Sequence, residues 1–259
     1  MLQVVIETIH ARPRDTRLVF LSDFDGTLAD FHDNPVLPWP TRKTQRLLAA
    51  LAKRSDMSFG VVSGRRLEDV RARTVFSKRA YFAGLHGLEI AIGDVRWQHP
   101  QLETARHHVH ELADALRAMG DGLPGLYLED KDVSIAAHFR RVPDVLRADA
   151  EMRIERCAAP FLASGQVRRL RGQLVLEFLP NVHWDKGEAT RWIVRDVEAR
   201  FGKPAWVVFV GDDVTDEDAF AAIERGVGVL VGRRETAAHY QLDSTSEVTA
   251  LLAWLAGEA

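Results

Sequence analysis

Residues 17–24 and 206–210 are apolar runs with almost no polar alternation, and both lead straight into aspartates. Asp23 and Asp25 close the first; Asp212 and Asp213 follow the second. A strand of this composition is buried on both faces, which calls for a parallel sheet with helices above and below it. Such sheets bind ligands at the carboxyl ends of their strands, where these aspartates fall.

The intervening sequence supplies the helices. Leu47, Leu48 and Leu51 form one stripe of a helix predicted over 40–53, with Pro40 at its start. A strand at 58–62, a helix from Arg65 and a strand over 81–92 complete a βαβαβ pattern. From residue 101 the grammar changes. A helix over 102–119 carries Leu102, Ala105, Val109, Leu112, Leu116 and Met119 on one face. Strands at 126–129 and 133–140, a helix over 143–162, and strands at 167–171 and 173–179 follow. A helix over 186–200 stops at Gly202 and Pro204, and strand–helix alternation resumes to residue 255. The expected organisation is one α/β core, 1–100 with 183–259, interrupted by an αββαββ insert at 101–182.

Composition narrows the functional classes. Among 259 residues, Lys plus Arg number 34 and Asp plus Glu 37, a net charge of −3, so generalised binding to nucleic acid or acidic membrane is not expected. Cys157 is the single cysteine, which excludes a disulfide within the chain and fits a cytoplasmic protein. No apolar run approaches the ~20 residues of a membrane span, and residues 1–15 do not read as a signal peptide.

Four short segments carry chemistry. Asp23-Phe24-Asp25-Gly26-Thr27 sets two carboxylates at a strand end, one able to attack or ligate and the other to move protons. Gly26 lets backbone N–H groups approach an anion; an ordinary Asp-Gly turn is the alternative. Asp212, Asp213 and Asp216 crowd a second strand end, where a hard cation such as Mg²⁺ or a lysine would offset their repulsion. Acids complementing a helix dipole explain Glu217 and Asp218 better than Asp212. Ser63, before Gly64 and Arg65, could hold a phosphoryl oxygen or merely cap a helix. Lys186 opens a helix and could neutralise a phosphate.

In this order, the four segments resemble the motifs of the haloacid dehalogenase superfamily, and the insert resembles the cap of its sugar-phosphate branch. Within that branch the chain is similar to the trehalose-6-phosphate phosphatase family, from about residue 17 onward. The further segments that carry the likeness are 211–220, 83–89 with His86, Glu129 with Lys131, His138 with Arg140, Glu177, and 186–189. Gln173 stands where that family often has lysine. The resemblance implies a core with a parallel sheet and helices on both faces, an α+β cap, and a Mg²⁺-dependent phosphatase. It implies Asp23 as nucleophile, Asp25 as general acid and base, and Ser63 and Lys186 as phosphate ligands. The metal would be held by Asp23, Asp212 and the Asp25 carbonyl, with Gly26, Thr27, Asp213 and Asp216 in support. His86, Glu129, Lys131, His138, Arg140 and Glu177 would bind the substrate.

Strand periodicity bears on the insert independently. Val133, Ile135, Ala137 and Phe139 alternate with Ser134, Ala136, His138 and Arg140, while Leu174, Leu176 and Phe178 oppose Gln173, Val175 and Glu177. The second set predicts an open polar face suited either to a polyol or to plain solvation. The expected partner is a small sugar phosphate, with no nucleic acid or membrane, acting on a monomer or weak oligomer. A phosphatase for sucrose 6-phosphate or mannosyl-3-phosphoglycerate, a phosphosugar mutase and a non-catalytic sugar-phosphate binder stay open as alternatives.

Overall fold

The computed structural model describes residues 1–32, 36–74 and 79–258, the side chain of Ala105 excepted. The chain divides into two compact units, Met1–Trp97 with Trp184–Ala259, and Gln98–His183.

In chain order the first unit opens with α1 (Leu2–His10), β1 (Arg17–Ser22), α2 (Arg42–Leu51), β2 (Met57–Val62) and α3 (Leu67–Arg73). Then come β3 (Tyr81–Gly84), β4 (Glu89–Ile92) and β5 (Val95–Gln98). The second unit holds α4 (Leu102–Gly120), β6 (Tyr127–Asp130), β7 (Ile135–His138), α5 (Asp144–Ala163), β8 (Val167–Gly172) and β9 (Val175–Pro180). The first unit resumes with α6 (Lys186–Phe201), β10 (Ala205–Gly211), α7 (Glu217–Ala221), β11 (Gly226–Val231), β12 (Tyr240–Leu242) and α8 (Thr245–Ala256).

Its sheet runs β12-β11-β10-β1-β2-β3-β4-β5. From β12 to β3 every neighbour is parallel. The apolar runs behave as their composition requires. Leu18 and Phe20 of β1 pack into one core with α1, α2, α3 and α8, while Val19 and Leu21 pack into another with α6 and α7. β1 and β10 are direct neighbours, Ser22 opposite Val210, so the two acidic segments leave the sheet side by side.

Three features depart from expectation. The strand expected over 81–92 is two antiparallel strands, Tyr81 opposite Ile92. Leu85, His86 and Gly87 all take positive φ and reverse the chain, so the sheet is mixed at this edge. Helix α2 begins at Arg42 because the Thr41 hydroxyl, not Pro40, caps it, accepting from the Thr44 N–H at 3.1 Å. Residues 2–10, where no element is expected, form a helix; Val5 and Ile9 bury it in the same core as α8.

The smaller unit has a sheet ordered β6-β7-β9-β8 with antiparallel pairing. Ile135, Ala137, Phe139, Leu176 and Phe178 pack with Val109, Leu112 and Leu116 of α4 and with Ala150, Ile154 and Ala158 of α5, the apolar face that periodicity predicts. The expected place of Ala105 on this face lies outside the described residues. No helix among the described residues is long and apolar enough to cross a membrane.

Candidate active site

Asp23 follows β1 directly and its N–H donates to the Val210 carbonyl at 2.8 Å, which holds it at the end of the paired strands. Lys186 is the first residue of α6. That helix is capped by Asp185, whose Oδ1 accepts from the Glu188 N–H at 2.9 Å. From there the buried Lys186 ammonium donates to Asp23 Oδ1 at 2.9 Å and to Asp216 Oδ1 at 2.7 Å. Asp216 is itself placed by a capping box with Asp213, whose N–H donates to Asp216 Oδ2 at 2.9 Å.

Asp23, Asp212 and Asp216 each present a carboxylate oxygen within 4.8 Å of the others. Gly26 makes room for Asp212: its φ is +71°, and a Cβ there would lie 2.0 Å from Asp212 Oδ2. Thr27, buried beside it, donates to Asp212 Oδ1 at 3.3 Å. Arg234 steadies the same loop by donating to the Asp213 carbonyl at 2.7 Å.

Asp23 and Asp216 share the buried Lys186 ammonium, and Asp212 crowds both. Burial, reinforced by Asp216, Asp212 and Asp25 against the pull of Lys186, holds Asp23 well above the usual carboxylate range. Burial and then the Asp216 charge push Asp212 up to about 7. Burial disfavours the Lys186 charge, but Asp216 and Asp23 outweigh it and hold the ammonium proton above lysine's ordinary range. A buried cluster of hard oxygen donors, costly to keep charged without a counter-ion, fits a divalent cation. Asp23 and Asp212 could ligate one, while both oxygens of Asp216 are engaged by Lys186 and the Asp213 N–H.

Of the remaining expected residues, Ser63 follows β2 and is buried. Its Oγ accepts from the Arg65 N–H at 3.2 Å. His86 donates its backbone N–H to the Ser63 carbonyl at 2.9 Å, and its ring lies against Gly64, where a Cβ would stand 2.8 Å from the imidazole. Asp25 is not among the clustered carboxylates. Both of its oxygens are held by Arg65, from Nε at 2.7 Å and Nη2 at 2.6 Å. Residue type alone gives Arg65 no role. Its signal was the spacing of Arg65, Asp69 and Arg73, four residues apart with alternating sign.

In the smaller unit, Glu129, Lys131, Ser134, His138 and Glu177 meet on the polar face. Lys131 Nζ and Ser134 Oγ each donate to Glu177 Oε1 at 2.9 Å, and His138 Nε2 lies 3.0 Å from Glu129 Oε2. Ala136 sits opposite Glu129 on one side and Glu177 on the other, which brings the two acids to one place on the sheet. This face was expected to be open. Instead, Lys131 and Glu177 keep only 12% and 15% of their side-chain exposure, and the charges pair because ions leaving water need partners. Arg140 stands apart, donating to the Gln173 carbonyl at 3.0 Å.

Residues 21–246 match the family model described as trehalose-phosphatase. The chain belongs to the trehalose-phosphatase family. Among curated members, the trehalose-phosphate phosphatase of Mycobacterium ulcerans is 34% identical over 248 residues, covering 91% of this chain. The match spans only 60% of that protein's length. Among solved structures, the C-terminal domain of the Candida albicans trehalose-6-phosphate phosphatase superposes with a TM-score of 0.84 at 21% identity, covering 100% of this chain and 98% of that one. The C-terminal domain of the Candida albicans trehalose synthase regulatory protein superposes at 0.71 with 14% identity, covering 97% of each chain. These likenesses establish the haloacid dehalogenase-type fold of this trehalose-phosphatase family member.

Proposed function

We propose that the chain is a phosphatase that hydrolyses trehalose 6-phosphate to trehalose and phosphate, with Mg²⁺ as cofactor. One observation carries the reading. A buried strand-end carboxylate, Asp23, lies within reach of both a lysine ammonium and two further carboxylates. A binding protein gains nothing from so costly an arrangement, whereas phosphoryl transfer needs a nucleophile amid paired charge.

In this reading the Asp23 carboxylate attacks phosphorus and the sugar oxygen leaves, giving an aspartyl-phosphate. Asp25 protonates the departing oxygen, then takes a proton from the water that hydrolyses the acyl-phosphate. Lys186 and Ser63 hold phosphoryl oxygens, and Asp216 aims Lys186. Asp23, Asp212 and the Asp25 carbonyl would hold Mg²⁺, whose contribution is to neutralise charge on the phosphoryl group. Glu129, Lys131, His138, Arg140 and Glu177 of the smaller unit, with His86, recognise the sugar.

The test is phosphate release from a panel of sugar phosphates by the chain and by its Asp23→Asn variant. Trehalose 6-phosphate should be preferred. The variant should fall by more than about a thousandfold while its melting curve is preserved. Preference for sucrose 6-phosphate or another sugar phosphate would reassign the substrate; retained turnover in Asp23→Asn would remove the covalent route.

A further inference from the structure

Asp25 must present its carboxylate to a leaving oxygen and later to a water, and nothing in Asp23 or Lys186 orients it. Arg65 does. Its guanidinium is buried, 7% exposed, and grips both Asp25 oxygens in a two-pronged fork. The fork occupies one lone pair on each oxygen, so each retains another for a reacting proton.

Arg65 is itself held. Its third donating nitrogen, Nη1, reaches Asp69 Oδ2 at 2.7 Å, and its guanidinium carbon lies 5.2 Å from the centre of the Phe24 ring. Asp69 in turn accepts from Arg73 Nε at 2.7 Å on its other oxygen. Arg73 is anchored by its Nη1, which donates to the Val36 carbonyl at 3.0 Å and the Pro38 carbonyl at 2.6 Å. The result is a ladder of alternating charge running from Asp25 along one face of α3. Asp69 and Arg73 lie one turn apart on α3, and Arg65, which precedes the Arg66 N-cap, reaches Asp69 from the loop in front of the helix.

We propose that Arg65 is a positioning residue for Asp25, held in register by Asp69 and Arg73, and that the ladder sets the reach of the general acid and base. The proposal rests on the phosphatase reading above. A lysine at 65 would keep the charge but not the fork, and would leave the Asp25 carboxylate free to rotate. An asparagine at 69 would keep the shape and loosen the support.

Transient kinetics with p-nitrophenyl phosphate separate this role from a merely structural one. Nitrophenolate leaves without protonation, so formation of the aspartyl-phosphate does not need Asp25. Hydrolysis of that intermediate does. Arg65→Lys should therefore release close to one equivalent of nitrophenolate per site in a burst, followed by a steady state slowed about a hundredfold. Asp69→Asn should show the same pattern more weakly. Adding Arg65→Lys to Asp25→Asn should cost nothing further, because both act through one carboxylate.

A structural role would instead lower burst and steady state together, in proportion to the folded fraction. That outcome, an additive double variant, or an Arg65→Lys enzyme indistinguishable from the parent would each overturn the proposal. A parent that turns over the aryl phosphate but not trehalose 6-phosphate would refute only the sugar assignment. A parent inactive on both would refute the two together.

Discussion

Replacing Lys186 with methionine should expose the charge balance of the site. The two side chains are similar in length, so the main change is loss of an ammonium that is 2% exposed and bonded to two buried carboxylates. Breaking a buried ion pair by removing one partner costs about 3–5 kcal/mol, and that is the stability loss expected at pH 8 in a chelated sample. Acid should shrink it. Asp212 has its folded pKa lifted to about 7, so the stability its protonated form confers is present at low pH and is lost as pH rises through 7. At pH 5.5 Asp212 carries its proton with or without Lys186, and its share of the deficit drops out. Asp23, also raised, moves the same way. About 1–2 kcal/mol of the deficit should vanish between pH 8 and 5.5, each pKa unit being worth about 1.4 kcal/mol. Urea melts of both proteins at the two pH values in EDTA measure this directly. A deficit below about 1 kcal/mol at pH 8, or one that does not change with pH, would refute the reasoning. Turnover should also fall by at least about a hundredfold, the usual loss when a group that stabilises phosphoryl charge is removed.

Chelation should abolish turnover and Mg²⁺ restore it, and Asp212→Ala should raise the Mg²⁺ needed by at least about tenfold. Because Asp212 must shed its proton to ligate, calorimetric Mg²⁺ affinity should weaken below pH 7; full activity in a chelated sample refutes the site. Glu177→Gln should lower kcat/KM for trehalose 6-phosphate about tenfold to a hundredfold while leaving a small aryl phosphate within about threefold. Equal losses on both substrates would make its bonds to Lys131 and Ser134 purely structural. Gly26→Ala combines a left-handed φ with a collision against Asp212, and should cost at least about 1–3 kcal/mol in a melt. A change under about 0.5 kcal/mol would mean that the loop relaxes away from Asp212 without loss.

The strand ends were legible because β1 and β10 are apolar on both faces and stop at acids. Composition alone marks such strands, and parallel-sheet geometry then brings their ends to one edge. The apolar face of β7 and β9 was legible for the same reason, through period-two alternation. The reversal after β3 was not, because Leu85 and His86 take left-handed φ although neither residue type announces it. Helix α1 was missed because its segment is short and finds its stability in packing on α8, a partner more than two hundred residues away. The pairing of Glu177 with Lys131 was hidden because their register depends on three strands at once. Arg65 lay in plain view beside Ser63, yet an arginine after a turn usually faces solvent. Only the repeat at 69 and 73 says otherwise.

The adjacency of β1 and β10 also governs how the chain emerges during synthesis. β1 finds β2 after some forty residues, with Leu18 opposite Met57. Its other edge pairs with β10, where Arg17 stands opposite Ala205, some 190 residues further along the chain. At about 5–20 residues per second, that edge waits roughly ten to forty seconds on the ribosome with a largely apolar strand unpaired on one side. Until it closes, Asp23 lacks both its backbone partner at Val210 and the Asp212 and Lys186 beside it. The carboxylate cluster therefore cannot assemble before β10 has emerged, and until then β1 presents a lone sheet edge of the kind open to unwanted pairing.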